Sequence, residues 1–261
     1  MRHHEQTIAG FTDHHAALPD TMGVVVVGSV ARGDERPDSD VDVYLVLTDN
    51  AYAAAGRAGA IAYVSHTGVT YDGGYVDVKL ASPGYLQAAV DHGDDPTRAS
   101  FDHGRVTFDR TAGLGELLMR MTELPDGAWT QRVYNYRAQL ALYGGYFLGQ
   151  AEDRGDRFLL QHSAAHASLA AGRCALAHHH RFFRGQKYLT RDLAELSAIP
   201  GGFLSAWAAV VAQPSTDTAR RLIETVDDWL GDPLTGDESL SAFIVANELA
   251  WLRHEIPPEY W

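Results

Sequence analysis

Residues 24–47 read VVVV-GSVARG-DERPDS-DVD-VYLVL: an apolar run, a Gly28-Ser29 turn, a short segment to Gly33, and a second apolar run that opens on Asp40 and Asp42. The pattern predicts strand, glycine turn, short helix and strand. Side chains at i and i+2 of a strand share a face. Asp40 and Asp42 therefore converge, and Val41 between them faces the other way. Two like charges held that close repel unless a cation sits between them or one takes up a proton. Hard oxygen ligands on a rigid strand suit Mg²⁺, which keeps part of its water shell and bridges to substrate phosphates. The Gly28-Ser29 turn leaves backbone N–H groups free at a helix N-terminus, which suits a phosphate.

Further along, Tyr75–Leu80 alternates apolar and polar residues. It sets Asp77 between Val76 and Val78, with Lys79 on the same face. Three readings of Asp77 stand side by side: a third metal ligand, a general base, or an ordinary polar-face residue. Lys79 reads as its ion-pair partner.

Gly28, Ser29, Arg32, Gly33, Ser39, Asp40 and Asp42, with Asp77 on a later strand, resemble the signature of the polymerase-beta-like nucleotidyltransferases. The resemblance implies an α+β fold, in which a small mixed-sheet catalytic domain at residues 1–111 precedes an all-α, substrate-binding helical bundle at 112–261. It implies two Mg²⁺ ions on Asp40, Asp42 and Asp77, and an NTP, ATP first, held by Gly28, Ser29 and Arg32. A nucleoside monophosphate would pass to an acceptor hydroxyl, with pyrophosphate leaving. Arg32 has a second reading, surface pairing with Asp34 or Asp38. In such enzymes a basic residue of the helical domain commonly contacts the triphosphate. Lys187, then Arg184, in the basic and aromatic stretch Arg181–Leu189, are the candidates here. The layout is similar to aminoglycoside nucleotidyltransferases, which makes an antibiotic of that type the expected acceptor. Two other readings share the motif: an enzyme that nucleotidylates (AMPylates) a protein in a toxin–antitoxin pair, and a nucleotide-binding sensor without catalysis. The long helical half counts against the first, and the intact Asp pair and Gly-Ser turn against the second.

Composition narrows the partners. The 261-residue chain carries a formal charge of −13. Gripping long nucleic acid relies on clustered Lys and Arg, so that role is not expected; a cationic small substrate is compatible with the charge. The single Cys174 excludes an intramolecular disulfide and fits a reducing compartment. No apolar run is long enough for a membrane span, and no signal-peptide core follows Met1, so a cytoplasmic protein is expected. The sequence leaves the oligomeric state open.

The periodicity predicts a helix over 2–18 and strands at 24–27, 41–47, 62–69, 74–80 and 104–109. Helices are expected at 51–60 and from Pro83 to about Val90, with Asp91–Pro96 as a polar loop. Beyond residue 112, helical segments are expected at 129–151, 157–180, 190–198, 203–212, 216–230 and 238–254. Glu152, at the end of a Tyr-rich helix, is a second candidate for the catalytic base. His162 and His166 stand at i and i+4, yet the His-Glu-x-x-His pattern of zinc proteases is absent. Arg173 and His178 formally fit the Arg-x4-6-His pattern of HEPN ribonucleases.

Overall fold

A computed structural model describes residues 1–260; Trp261, the last residue of the expected helical domain, lies outside them. The chain divides into two compact units, Met1–Leu124 and Pro125–Trp261.

The first unit runs α1 (Arg2–Ala16), β1 (Thr21–Val27), α2 (Gly28–Arg32), β2 (Val41–Leu47), α3 (Asp49–Arg57), β3 (Ala62–Ser65), β4 (Val76–Ala81), α4 (Pro83–His92), α5 (Asp95–Phe101), β5 (Arg105–Asp109) and α6 (Leu114–Thr122). Its sheet has the order β3-β4-β2-β1-β5. β2 and β4 are parallel and the other neighbours antiparallel, so the sheet is mixed, as expected. β1 and β2 are rich in Val and Leu because both faces of the central strands are covered. On one face Val24, Val26, Val43, Leu45 and Val78 meet Ile8 and Phe11 of α1. On the other, Val25, Val27, Tyr44 and Val46 meet Leu86 of α4, Phe101 of α5, and Leu114, Leu118 and Met121 of α6.

Three expectations shift here. A boundary at 111/112 would assign α6 to the helical half, but its apolar stripe is buried against the sheet and the first unit runs on to Leu124. The polar stretch Asp91–Pro96 is not one loop. It ends α4 and starts α5, whose N-cap Asp94 accepts from the Thr97 N–H at 2.8 Å. β3 is also shorter than expected. The chain turns away after Ser65 and brings Gly68 against Gly10 of α1, where a Cβ on Gly10 would lie 2.9 Å from the Gly68 Cα.

The second unit is helical. α7 (Asp126–Ala141) continues through a π-helical turn, Leu142–Phe147, into α8 (Leu148–Arg154). Then come α9 (Arg157–His178), α10 (Gln186–Ala194), α11 (Phe203–Ala212), α12 (Thr216–Leu230) and α13 (Gly236–Phe243). α9 is the central rod: from Ser163 to Ala177 its buried positions are mostly Ala, Ser and Gly. Small side chains let neighbouring helices approach closely, and Leu189 of α10 lies where a side chain on Gly172 would stand. Ser215 and Thr235 start α12 and α13 with capping boxes.

Candidate active site

The strand register builds the site. Val27, the last residue of β1, pairs with Asp42 of β2, and Asp42 pairs with Asp77 of β4. Asp40 precedes β2 by one residue and shares the face of Asp42. Carboxylate oxygens of Asp40, Asp42 and Asp77 all lie within 4.8 Å of one another, and all three residues are half-buried. Burial first, then the charges of Asp40 and Asp77, push the Asp42 carboxyl from its ordinary 3.8 up to about 6. The charges of Lys79 and Arg32 pull weakly the other way. A cation among these oxygens would relieve both the repulsion and the burial cost, and hard carboxylates suit Mg²⁺ or Mn²⁺.

The glycine turn sits directly against this cluster. Gly28 follows Val27 with φ +69°, and a Cβ there would lie 2.6 Å from the Asp42 Cγ, on top of the carboxylate. Only glycine satisfies both the left-handed backbone and the close approach. α2 is one turn long, no side chain caps its N-terminus, and Ser29 is half-buried within it. Arg32 closes that turn with its Nε 3.4 Å from Asp34, so the surface-pair reading describes its contact, while its charge also reaches Asp42. Lys79 is exposed on the Asp77 face, with its Nζ 5.9 Å from the Tyr44 ring.

Tyr75 is a residue the sequence reading passed over. Its phenol hydrogen-bonds Asp40, and the Asp40 charge is the main cause holding its pKa above the usual range. As a neutral hydroxyl it can donate beside the carboxylates. Its place one residue before the Val76–Ala81 strand was the available signal.

The candidates beyond residue 124 belong to the second unit. The Arg184 guanidinium is paired with Asp192, its Nε donating at 3.0 Å, and it lies over the Tyr188 ring. Asp192 is buried. Lys187 is exposed on the first turn of α10, its Nζ 5.3 Å from the Tyr188 ring. Glu152 accepts from the N–H of Thr216 at 3.2 Å and from its hydroxyl, and so holds the start of α12. Arg173 is buried, donating to Tyr136 Oη at 2.6 Å and to the Pro258 carbonyl. His178, at the end of α9, packs on Trp229 with ring centroids 4.8 Å apart. His166 stacks on Tyr143 with ring centroids 4.6 Å apart, and His162 meets the same ring edge-on. Among the described residues, the Asp40–Asp42–Asp77 trio is the one cluster of metal-ligating groups.

Residues 17–84 match the family model described as "Nucleotidyltransferase domain". This segment is a nucleotidyltransferase domain. The match spans β1 to the start of α4 and so includes the glycine turn and all three carboxylates. It bears out the likeness to the polymerase-beta-like enzymes, and the chain carrying this domain is a nucleotidyltransferase. Among solved structures, the chain is similar to a nucleotidyltransferase-like protein from Exiguobacterium sibiricum 255-15, at 11% identity, with 95% of this chain and 91% of that one covered and a TM-score of 0.49. No curated protein matches the sequence. The matched domain accounts for NTP use; among the described residues no helix is long and apolar enough to cross a membrane.

Proposed function

We propose that this nucleotidyltransferase moves a nucleoside monophosphate, AMP from ATP first, to a hydroxyl of a small cationic acceptor of the aminoglycoside type. The observation that carries the reading is the convergence of three carboxylates within 4.8 Å beside a glycine whose Cβ would fill their space. Asp40, Asp42 and Asp77 would hold Mg²⁺, which when bound neutralises triphosphate charge and lowers the pKa of a coordinated hydroxyl. The uncapped N–H groups of Gly28 and Ser29, and the Ser29 hydroxyl, face the donor phosphates. Arg32 adds positive charge at the end of the same turn. The acceptor oxygen forms a new bond to the α-phosphorus, the bond to the β-phosphate oxygen breaks, and pyrophosphate departs with that electron pair. The hydroxyl proton passes to a carboxylate. Glu152 is engaged at the start of α12, which favours Asp77 as the base. Lys187, exposed and with no carboxylate contact among the described residues, is favoured over Arg184 for the triphosphate. The acceptor class is supported by the net charge of −13 and by a separate helical unit that follows the catalytic one in the chain.

The test is pyrophosphate release with Mg²⁺ and each of four NTPs, against aminoglycosides, spectinomycin and lincosamides, with Asp42→Ala as the blank. Acceptor-dependent release that vanishes in the blank supports the reading and names the nucleotide. Equal turnover in Asp42→Ala removes the site assignment. NTP binding with no release across the panel removes the acceptor class.

A further inference from the structure

Asp40 lies outside the strand ladder, yet both peptide planes flanking it are pinned. On its C-terminal side the Val41 N–H donates to the Tyr75 carbonyl at 3.1 Å. On its N-terminal side the Ser39 carbonyl, which shares a rigid peptide plane with the Asp40 nitrogen, accepts two hydrogen bonds. One comes from the Tyr71 hydroxyl at 2.6 Å, the other from His4 Nε2 at 3.0 Å. His4 is fully buried in the first turn of α1, and its ring packs edge-on against Tyr71. The two donors are themselves tied together, since Thr70 donates its hydroxyl to the His3 carbonyl at 3.1 Å and its N–H to Thr7 Oγ1 at 3.3 Å. The turn before Asp40 is already closed locally, with Ser39 N–H to the Arg36 carbonyl at 3.1 Å and Arg36 N–H to Ser39 Oγ at 2.9 Å. The His4 and Tyr71 bonds are therefore not needed to make the turn. What they fix is the direction in which Asp40 leaves it.

We propose that His4 and Tyr71 are positioning residues that aim the Asp40 carboxylate at Asp42 and Asp77 through the Ser39 carbonyl. This rests on the metal-site reading above. Partners one step removed from a metal ligand commonly change affinity by roughly tenfold or more when removed. Freed of its second clamp, Asp40 would swing from its neighbours, whose negative charge repels it.

The experiment is calorimetric titration of the full chain with Mn²⁺, without nucleotide, on the parent, Tyr71→Phe, His4→Asn and His4→Gln, with Tm measured alongside. Tyr71→Phe keeps the ring and loses only the hydroxyl. His4→Gln can place an amide N–H where Nε2 stands, whereas His4→Asn cannot reach. The expected result is a Mn²⁺ affinity weakened roughly tenfold in Tyr71→Phe, with its Tm close to that of the parent. His4→Asn is expected to weaken binding comparably, and His4→Gln to recover most of it. Parent-like Mn²⁺ binding in Tyr71→Phe overturns the inference, as does a His4→Gln no better than His4→Asn. A parent that binds no Mn²⁺ overturns the metal-site reading and this inference together; the parent's own titration tells the two failures apart.

Discussion

Neutralising Asp42 should stabilise the metal-free protein. Its carboxyl holds a proton more readily folded than unfolded, with a pKa near 6 against 3.8. Stability is therefore fullest below the unfolded value and is lost as pH rises through the folded one. The gap, at about 1.4 kcal/mol per pH unit, corresponds to about 3 kcal/mol above pH 7. Water reaches part of the side chain, so about 2 kcal/mol is the figure to expect after screening. Asp42→Asn keeps the shape and removes the charge. For a chain of this size the gain is roughly 6 °C in Tm. The assay is thermal unfolding in EDTA at pH 7.5 and pH 5, parent against variant. Linkage makes the advantage shrink to roughly half by pH 5, because the parent's carboxyl is by then mostly protonated. Adding Mg²⁺ at pH 7.5 should raise the parent's Tm and leave the variant's where it was. A variant no more stable than the parent at pH 7.5, or an advantage equal at both pH values, would refute the electrostatic account.

Gly28→Ala should abolish pyrophosphate release and destabilise the fold by on the order of 2 kcal/mol, because the new methyl lands on the Asp42 carboxylate and the backbone sits at φ +69°. Circular dichroism melts and turnover check it together; an active, equally stable variant removes the packing argument. Arg184→Ala should lower Tm, since it strands the buried Asp192 at a cost of on the order of 3 kcal/mol. Lys187→Ala should leave Tm unchanged and raise KM for the NTP; the reverse pattern would exchange the roles given to these two residues.

The carboxylate cluster was legible because its signals are local. A glycine turn between two valine-rich runs and carboxylates at i and i+2 can be read within one short segment, and register then carries Asp42 to Asp77. The family match over residues 17–84 covers that same legible segment. What escaped depends on distant partners. α6 packs its stripe on the sheet, and nothing within Leu114–Thr122 says which unit supplies its neighbours. Arg184 is a triphosphate candidate by sequence, yet its guanidinium is paired with Asp192, eight residues on and buried. Arg173 matched a loose ribonuclease pattern, yet its partners Tyr136 and Pro258 lie far off in the chain. The clamp on Ser39 joins residues 4, 39 and 71, and no spacing rule links them.

The division of labour among the three carboxylates follows from where each meets the sheet. Asp42 and Asp77 are ladder residues, held between neighbouring strands, so backbone hydrogen bonds resist their mutual repulsion. Asp40 is one residue too early for that support. Its negative charge would push it toward solvent whenever no cation is bound, and the turn before it, although closed by the Ser39–Arg36 hydrogen bonds, does not set the direction in which Asp40 leaves. The restraint has to come from elsewhere, and it comes from α1 and the segment before β4, through one carbonyl oxygen. Tyr75 works in the same direction, since its phenol gives Asp40 a further hydrogen-bond donor. A metal site of the kind proposed for these carboxylates would be assembled before the ion arrives only if something other than the ion opposes the repulsion. Here the ladder does so for two carboxylates, and a buried histidine and two tyrosines do so for the third.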